Sequence, residues 1–244
     1  MTSPLRLVVF DCDGTLIDSQ HMIVAAMNHA FDAHGLENLP REKVLSIVGL
    51  SLAEAIHALV PDVDAALRAR VTESYKGAFF ELRRRKDLVE PLFPGVREAL
   101  DALAARDDTV LGIATGKSQR GLAHALETHG LRDYFVTLQT ADDAPSKPHP
   151  EMLRRAMNAT GAVPADTVLI GDTSYDMEMA CAAGAHALGV DWGYHAPALL
   201  PAAGARLVLG SFAGLAPALA PTWPAKRTSQ AADGGACAPC ETHI

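Results

Sequence analysis

Several short apolar runs in this chain end in residues that can do ionic chemistry. Asp11, Asp13, Gly14 and Thr15 close the first run, in the stretch DCDGT. Two carboxylates spaced two residues apart at a strand end can converge on one hard cation, and a glycine between them and the next residue lets the chain turn sharply. Thr115 follows the run TVLGIA and is succeeded by Gly116 and Lys117, where backbone N–H groups can face an anion. Lys147, in SKPHP, precedes a predicted helix and supplies a fixed positive charge. Asp172 closes the run TVLI, and Asp176 stands four residues later in GDTSYD. Together these residues form a complementary set: a cation organises the carboxylates, while Thr115 and Lys147 hold phosphate oxygens.

Each residue alone has an ordinary reading. An acidic turn after a strand is common, and a lysine in a loop is usually solvated. Thr115 could simply end a strand, and Asp176 could be an N-terminal carboxylate matched to a helix dipole. Their order and their placement after successive strands favour the chemical reading, because ligands of open α/β sheets bind off the carboxyl ends of strands.

The elements that must position these residues follow from hydrophobic patterning. LRLVVF, Thr109 to Ala114, Thr167 to Ile170 and Ala187 to Val190 read as buried parallel strands, with shorter candidates at Tyr134 to Leu138 and Arg206 to Leu209. Helical faces lie between them: Val96, Leu100 and Leu103; Leu122, Ala125 and Leu126; and Met152, Leu153, Ala156 and Met157 after Pro150. This alternation predicts an α/β fold with a doubly wound parallel sheet, a Rossmann-like core. From Ser19 to Leu92 the alternation stops. Ile23, Met27 and Phe31 mark one helix, Ser51 with Glu54 suggests a capping box, and Asp62 suggests the start of a long helix running to about Lys86. The expected organisation is a core of residues 1–18 and 93–220, an all-helical cap inserted at 19–92, and a flexible tail at 221–244. The alternative is that these helices simply pack on the sheet.

Composition narrows the function classes. The 244 residues are 49% hydrophobic and 20% charged, as in a folded protein with a real core. A net charge of -8 argues against binding nucleic acid by bulk charge, though one local cationic pocket can still take a small anion. No apolar stretch reaches the roughly 20 residues of a membrane span, and MTSPLRLVVF lacks a leader pattern. Four cysteines are too few for a disulfide scaffold; Cys12 and Cys181 read as small buried hydrophobes, and a cytoplasmic location is expected.

Other motifs carry less. ATGKS fails as a nucleotide-binding loop, because the glycine required five positions before Gly116 is Leu111. Cys237 and Cys240 form a lone CxxC, with His243 nearby but no second ligand pair for zinc. The basic run Arg83 to Lys86 reads as a solvated helix end. His21, His29, His34 and His57 read as surface or packing residues, and WGYH at 192–195 as a loop bordering the site.

In order, DCDGTLIDS at 11–19, IATGK at 113–117, SKPHPEML at 146–153 and GDTSYDMEMA at 171–180 resemble the haloacid dehalogenase superfamily, and within it phosphoglycolate phosphatase-type enzymes. The resemblance covers residues 5 to 215 and takes the helical insertion as the family's mobile cap. It implies a Mg2+-dependent phosphatase acting on a small phosphorylated metabolite such as phosphoglycolate or a sugar phosphate. Asp11 is then the nucleophile that becomes an aspartyl phosphate and Asp13 the general acid and base. Thr115 and Lys147, with Gly116, position the phosphate. The magnesium ligands implied are Asp11, the backbone carbonyl of Asp13, and Asp172, with Asp176 holding the outer shell or orienting Lys147. A phosphosugar mutase shares these motifs. A metal-independent 2-haloacid dehalogenase shares the fold but needs no acid at position 13, so Asp13 and Asp172 argue against it. A non-catalytic scaffold would not need all four motifs.

Overall fold

A computed structural model of the chain describes residues 4–85, 88 and 90–223. Six strands form one sheet: β1 (Arg6–Phe10), β2 (Thr109–Thr115), β3 (Phe135–Thr140), β4 (Thr167–Gly171), β5 (His186–Val190) and β6 (Leu207–Leu209). All pairings are parallel, and the spatial order is β3-β2-β1-β4-β5-β6. The unbroken apolar run of β1 is explained by burial on both faces. Val8 and Phe10 face one apolar cluster, with Val96, Leu100, Leu122 and Leu126. Leu7 and Val9 face the other, built with Met152, Leu153, Met177 and Ala180. Successive residues of a strand point to opposite faces, so a strand covered on both sides must be apolar throughout.

The helices, in chain order, are α1 (Gln20–Asp32), α2 (Arg41–Leu45), α3 (Leu52–Leu59), α4 (Ala65–Arg83), α5 (Val96–Ala104), α6 (Gln119–His129), α7 (Glu151–Thr160), α8 (Ser174–Ala183) and α9 (Leu215–Thr222). Helices α5, α6 and α9 cover one face of the sheet, and α7 and α8 the other. The doubly wound core expected from the sequence is therefore present. After β3 the chain crosses to the far side of β1 to form β4, so the strand order reverses between β1 and β4. In such sheets the crevice at the reversal is where ligands bind.

Helices α1 to α4 fall between β1 and α5 and build a third apolar cluster of their own, with Ile23, Met27, Phe31, Val44, Ile56 and Val71. Two details differ from the sequence expectation. The long helix is capped by Asp64 rather than Asp62: the Asp64 carboxylate accepts from the Leu67 N–H at 2.9 Å, because Pro61 to Val63 are spent in a turn. Ser51 stands at the start of α3 but makes no side-chain capping bond; its backbone N–H instead donates to Ser146 Oγ at 2.8 Å, tying the helical segment to the loop that carries Lys147.

Two further expectations are corrected. Cys181 is exposed, since the buried face of α8 runs through Met177, Met179, Ala180 and Ala183 and position 181 points away. The core extends past residue 220: Pro221 lies within α9, and Trp223 is buried against the sheet cluster. Its ring lies under the Arg6 guanidinium at 5.4 Å, which explains why a chain end that looks low in pattern is still anchored. The rest of the expected tail, with Cys237, Cys240 and His243, lies outside the described residues.

Candidate active site

The chain turns sharply off β1. Gly14 has φ of +81°, and a Cβ there would stand 2.2 Å from Asp172 Oδ2. Only glycine lets the β1 loop come this close to the residue that ends β4. Thr15 then donates its hydroxyl to Asp172 Oδ1 at 2.8 Å, so strand ends far apart in sequence are stitched side by side.

Asp11 is buried. Its Oδ1 accepts from the Cys12 N–H at 2.7 Å and lies 2.9 Å from the Lys147 ammonium. Its Oδ2 is buried with no hydrogen-bond partner among the described residues. Lys147 also reaches Asp176 Oδ1 at 2.6 Å. Asp176 Oδ2 is held by the Thr173 hydroxyl at 2.7 Å and the Thr173 N–H at 3.2 Å, in a capping box that opens α8. Both oxygens of Asp176 are thus engaged, and one of them orients Lys147. Asp172 Oδ2 accepts from the Tyr194 N–H at 2.8 Å.

The electrostatics follow from burial. Desolvation, with the nearby Asp176 charge, pushes the Asp11 carboxyl up to about 7 against the pull of Lys147 and the Cys12 N–H. Burial, then the charges of Asp11 and Asp176, raise Asp172 well above the usual carboxylate range. Burial alone would lower the Lys147 ammonium, but Asp11 and Asp176 outweigh it and raise it, so Lys147 is charged. Three buried carboxylates face one buried ammonium, leaving an excess of negative charge that a divalent cation would neutralise. Asp11, Asp172 and Asp176 each offer an oxygen, all within 4.8 Å of one another. The all-oxygen donor set and the excess negative charge of these buried carboxylates fit a hard cation such as Mg2+.

Asp13 is placed differently. Its Oδ1 accepts from the Ser19 hydroxyl and lies 2.6 Å from the Lys117 ammonium, so its side chain stands apart from the acidic trio. Thr115, at the end of β2, is buried, and its hydroxyl accepts from the Lys117 N–H at 3.3 Å. Asp11, Asp13, Thr115, Gly116 and Lys117 all line one cavity of about 970 Å³. Its other walls come from the helical segment, including Leu50, Tyr75 and Phe79. A Cβ on Gly116 would stand 2.4 Å from the Leu50 carbonyl oxygen, so the helical segment is packed directly on the Thr115 loop. Among the histidines, His124 of α6 lines the cavity, whereas His21, His29, His34 and His57 do not.

The residues at strand ends are legible in the sequence and their supports are not. The expectation for Lys117 concerns only its backbone N–H, whereas its side chain pairs with Asp13. Glu90, whose Oε1 lies 3.8 Å from the Lys117 ammonium, carries no motif. The WGYH loop does border the site: Trp192 Nε1 donates to the Thr15 carbonyl at 3.1 Å, and the Tyr194 hydroxyl accepts from the Ser19 N–H at 2.7 Å. The basic run is partly absorbed as well, since Arg83 pairs with Glu90 at 3.2 Å and lines the cavity.

Comparison with known proteins agrees with this geometry. Residues 8–190 match the family model described as haloacid dehalogenase-like hydrolase. The chain is 37% identical over 211 residues to a protein named "Probable phosphatase IndB" of Dickeya dadantii, covering 84% of this chain and 90% of that one. It is 33% identical over 219 residues to a phosphoglycolate phosphatase of Chromobacterium violaceum, covering 86% and 95%. A crystal structure of a predicted phosphoglycolate phosphatase from Haemophilus somnus superposes with a TM-score of 0.78 at 21% identity, over 90% of this chain and 100% of that one, a likeness of fold. With its family model matched over most of the chain and its strand-end carboxylates in place, the protein belongs to the haloacid dehalogenase-like hydrolases, in their phosphatase branch.

Proposed function

We propose that the protein hydrolyses a small phosphomonoester, with Mg2+ bound, by transferring the phosphoryl group to Asp11. The observation that carries this is the Asp11 carboxylate: Oδ1 is fixed by Lys147 and the Cys12 N–H, while Oδ2 is desolvated and unpartnered among the described residues. Asp11 Oδ2 attacks phosphorus as the ester P–O bond breaks, and Asp13 delivers its proton to the leaving oxygen. Asp13 then takes a proton from water as the water oxygen attacks phosphorus, and the Asp11–phosphorus bond breaks to return the carboxylate and free phosphate. Thr115, the Gly116 N–H and Lys147 would hold the phosphoryl oxygens. The ion would be held by Asp11, Asp172 and the Asp13 backbone carbonyl, with Asp176 outside them orienting Lys147. When bound, it offsets the repulsion between carboxylate and phosphate dianion and stabilises the charge of the transferring group.

Helices α1 to α4, within residues 19–92, act in this reading as a cap over the site. Their separate apolar cluster and their seat on the Thr115 loop support that role. A closed cap would exclude water from the first step and select the leaving group. Phosphoglycolate or a sugar phosphate in the cytoplasm is the proposed kind of substrate, in keeping with the named relatives. The test is phosphate release from a panel of small phosphorylated metabolites, with Mg2+ and with EDTA. Release that needs Mg2+ and is lost in Asp11→Asn is expected; metal-independent release would overturn the reading. Isomerised sugar phosphate without free phosphate would point instead to a mutase.

A further inference from the structure

We propose that Arg120 forms a second anion-binding site at the outer end of the cavity, and that the substrate is a phosphomonoester whose sugar-sized leaving group carries a further carboxylate or phosphate at its far end. This rests on the phosphatase reading and names the class of substrate that the same site takes.

Across the cavity, helix α4 faces the segment that opens α6 in two rungs. In the inner rung the Lys117 ammonium, which pairs with Asp13, lies 5.6 Å from the centre of the Phe79 ring. In the outer rung the Arg120 guanidinium lies 5.0 Å from the centre of the Phe80 ring. All four residues line the cavity, and both members of the outer rung are exposed. The cavity therefore runs from the carboxylates at the end of β1 outward to a cation at its mouth.

The other cations of the cavity are already paired. Lys117 meets Asp13 at 2.6 Å, Arg83 meets Glu90 at 3.2 Å, Lys76 meets Glu73 at 2.7 Å and Arg84 meets Glu81 at 3.5 Å. Arg120 has no carboxylate partner among the described residues, and its guanidinium rests only on the Phe80 ring. Asp142 also lines the cavity, but its Oδ2 accepts from the Gln119 N–H at 2.7 Å. A guanidinium laid on an aromatic face keeps its N–H fork free at the edge, and that fork matches two oxygens of a carboxylate or phosphate. The net charge of -8 does not oppose this, because exposed charges further off than a Debye length are screened.

The size of the cavity points the same way. Its 970 Å³ lies near the top of the roughly 300–1,000 Å³ of small-molecule sites. A two-carbon leaving group such as glycolate leaves most of that space unfilled. A sugar-sized one extends outward from the Asp11 end, and an anion at its far end meets Arg120.

The experiment compares kcat and KM of Mg2+-loaded protein for three six-carbon esters. Fructose 6-phosphate has a neutral far end, 6-phosphogluconate a carboxylate there, and fructose 1,6-bisphosphate a phosphate. Wild type should favour at least one of the two anionic esters over fructose 6-phosphate by about tenfold or more in kcat/KM; which of them is favoured tells carboxylate from phosphate. Arg120→Gln should raise KM for the favoured ester about tenfold, with a much smaller effect on fructose 6-phosphate. Arg120→Lys should recover part of the loss, and Arg120→Glu should make fructose 6-phosphate the better substrate. Equal kcat/KM on all three esters in wild type, or a preference that survives in Arg120→Glu, would overturn the proposal. So would release from p-nitrophenyl phosphate but from none of the three. Release from none of these four esters, or release that survives in Asp11→Asn, would instead overturn the phosphatase reading and this refinement with it.

Discussion

The Lys147 ammonium lies 2.9 Å from Oδ1 of Asp11, and neither side chain reaches solvent. A charge pair taken so fully out of water is stable only while both partners remain. Lys147→Met leaves Asp11, Asp172 and Asp176 facing one another without their cation. Metal-free protein carrying that change should lose about 3–5 kcal/mol of stability in urea unfolding. Its kcat should fall about 10³-fold. Adding Asp11→Asn should restore part of the stability, because it removes one of the stranded charges. An additive loss would show that the two side chains are not coupled.

A pH effect is expected at the seam between the helical segment and the core. His195 Nε2 lies 3.0 Å from the Ser46 carbonyl and must donate to it, so its Nδ1 is left to accept from the Ser174 N–H at 3.2 Å. Burial lowers the His195 pKa, against the Ser46 bond and the charges of Asp176 and Glu178. The folded state therefore favours the neutral ring. The stability this contributes is fully present above the unfolded value of 6.5 and is lost as pH falls toward the lower folded value. Melting temperatures measured from pH 8 down to pH 5 should drop more steeply for wild type than for His195→Gln. Parallel curves would remove His195 from the seam.

Gly116→Ala places a methyl group 2.4 Å from the Leu50 carbonyl oxygen and 2.7 Å from that of Gly49. Both obstacles are backbone, so the helical segment must move to relieve them. Overpacking of this kind costs about 1–3 kcal/mol, and kcat/KM should fall about tenfold or more. Unchanged kcat/KM would mean that the close seat of residues 49 and 50 is not needed for turnover.

Trp223→Ala tests how far the core reaches. Removing a large buried ring commonly costs about 3–5 kcal/mol. Urea unfolding should show a loss of about 3 kcal/mol with the site unaltered. A loss near zero would restore the earlier boundary at residue 220.

What the sequence disclosed was set by locality. The strands β1, β2 and β4 were legible because a strand buried on both faces must be apolar throughout. The residues that follow them were legible because a carboxylate or hydroxyl at the end of such a run needs a reason. Asp64 was missed in favour of Asp62 because both fit a cap, and only the turn at Pro61 to Val63 decides between them. Glu90 and Ser19 were invisible as site residues. Glu90 acts through Lys117, far from it in the sequence, and Ser19 acts through Asp13, six residues before it in DCDGTLIDS, where a serine alone carries no signal. Trp223 was missed because its partner, Arg6, is 217 residues away.

The account stands on Asp11 as the group that takes the phosphoryl transfer. Mg2+-loaded protein mixed with a turned-over phosphomonoester and quenched in acid should carry one added phosphoryl group, and peptide mass analysis should locate it on the peptide containing Asp11. Asp11→Asn should carry none and release no phosphate. Phosphate release by Asp11→Asn at the wild-type rate, or an adduct on another side chain, would contradict the account.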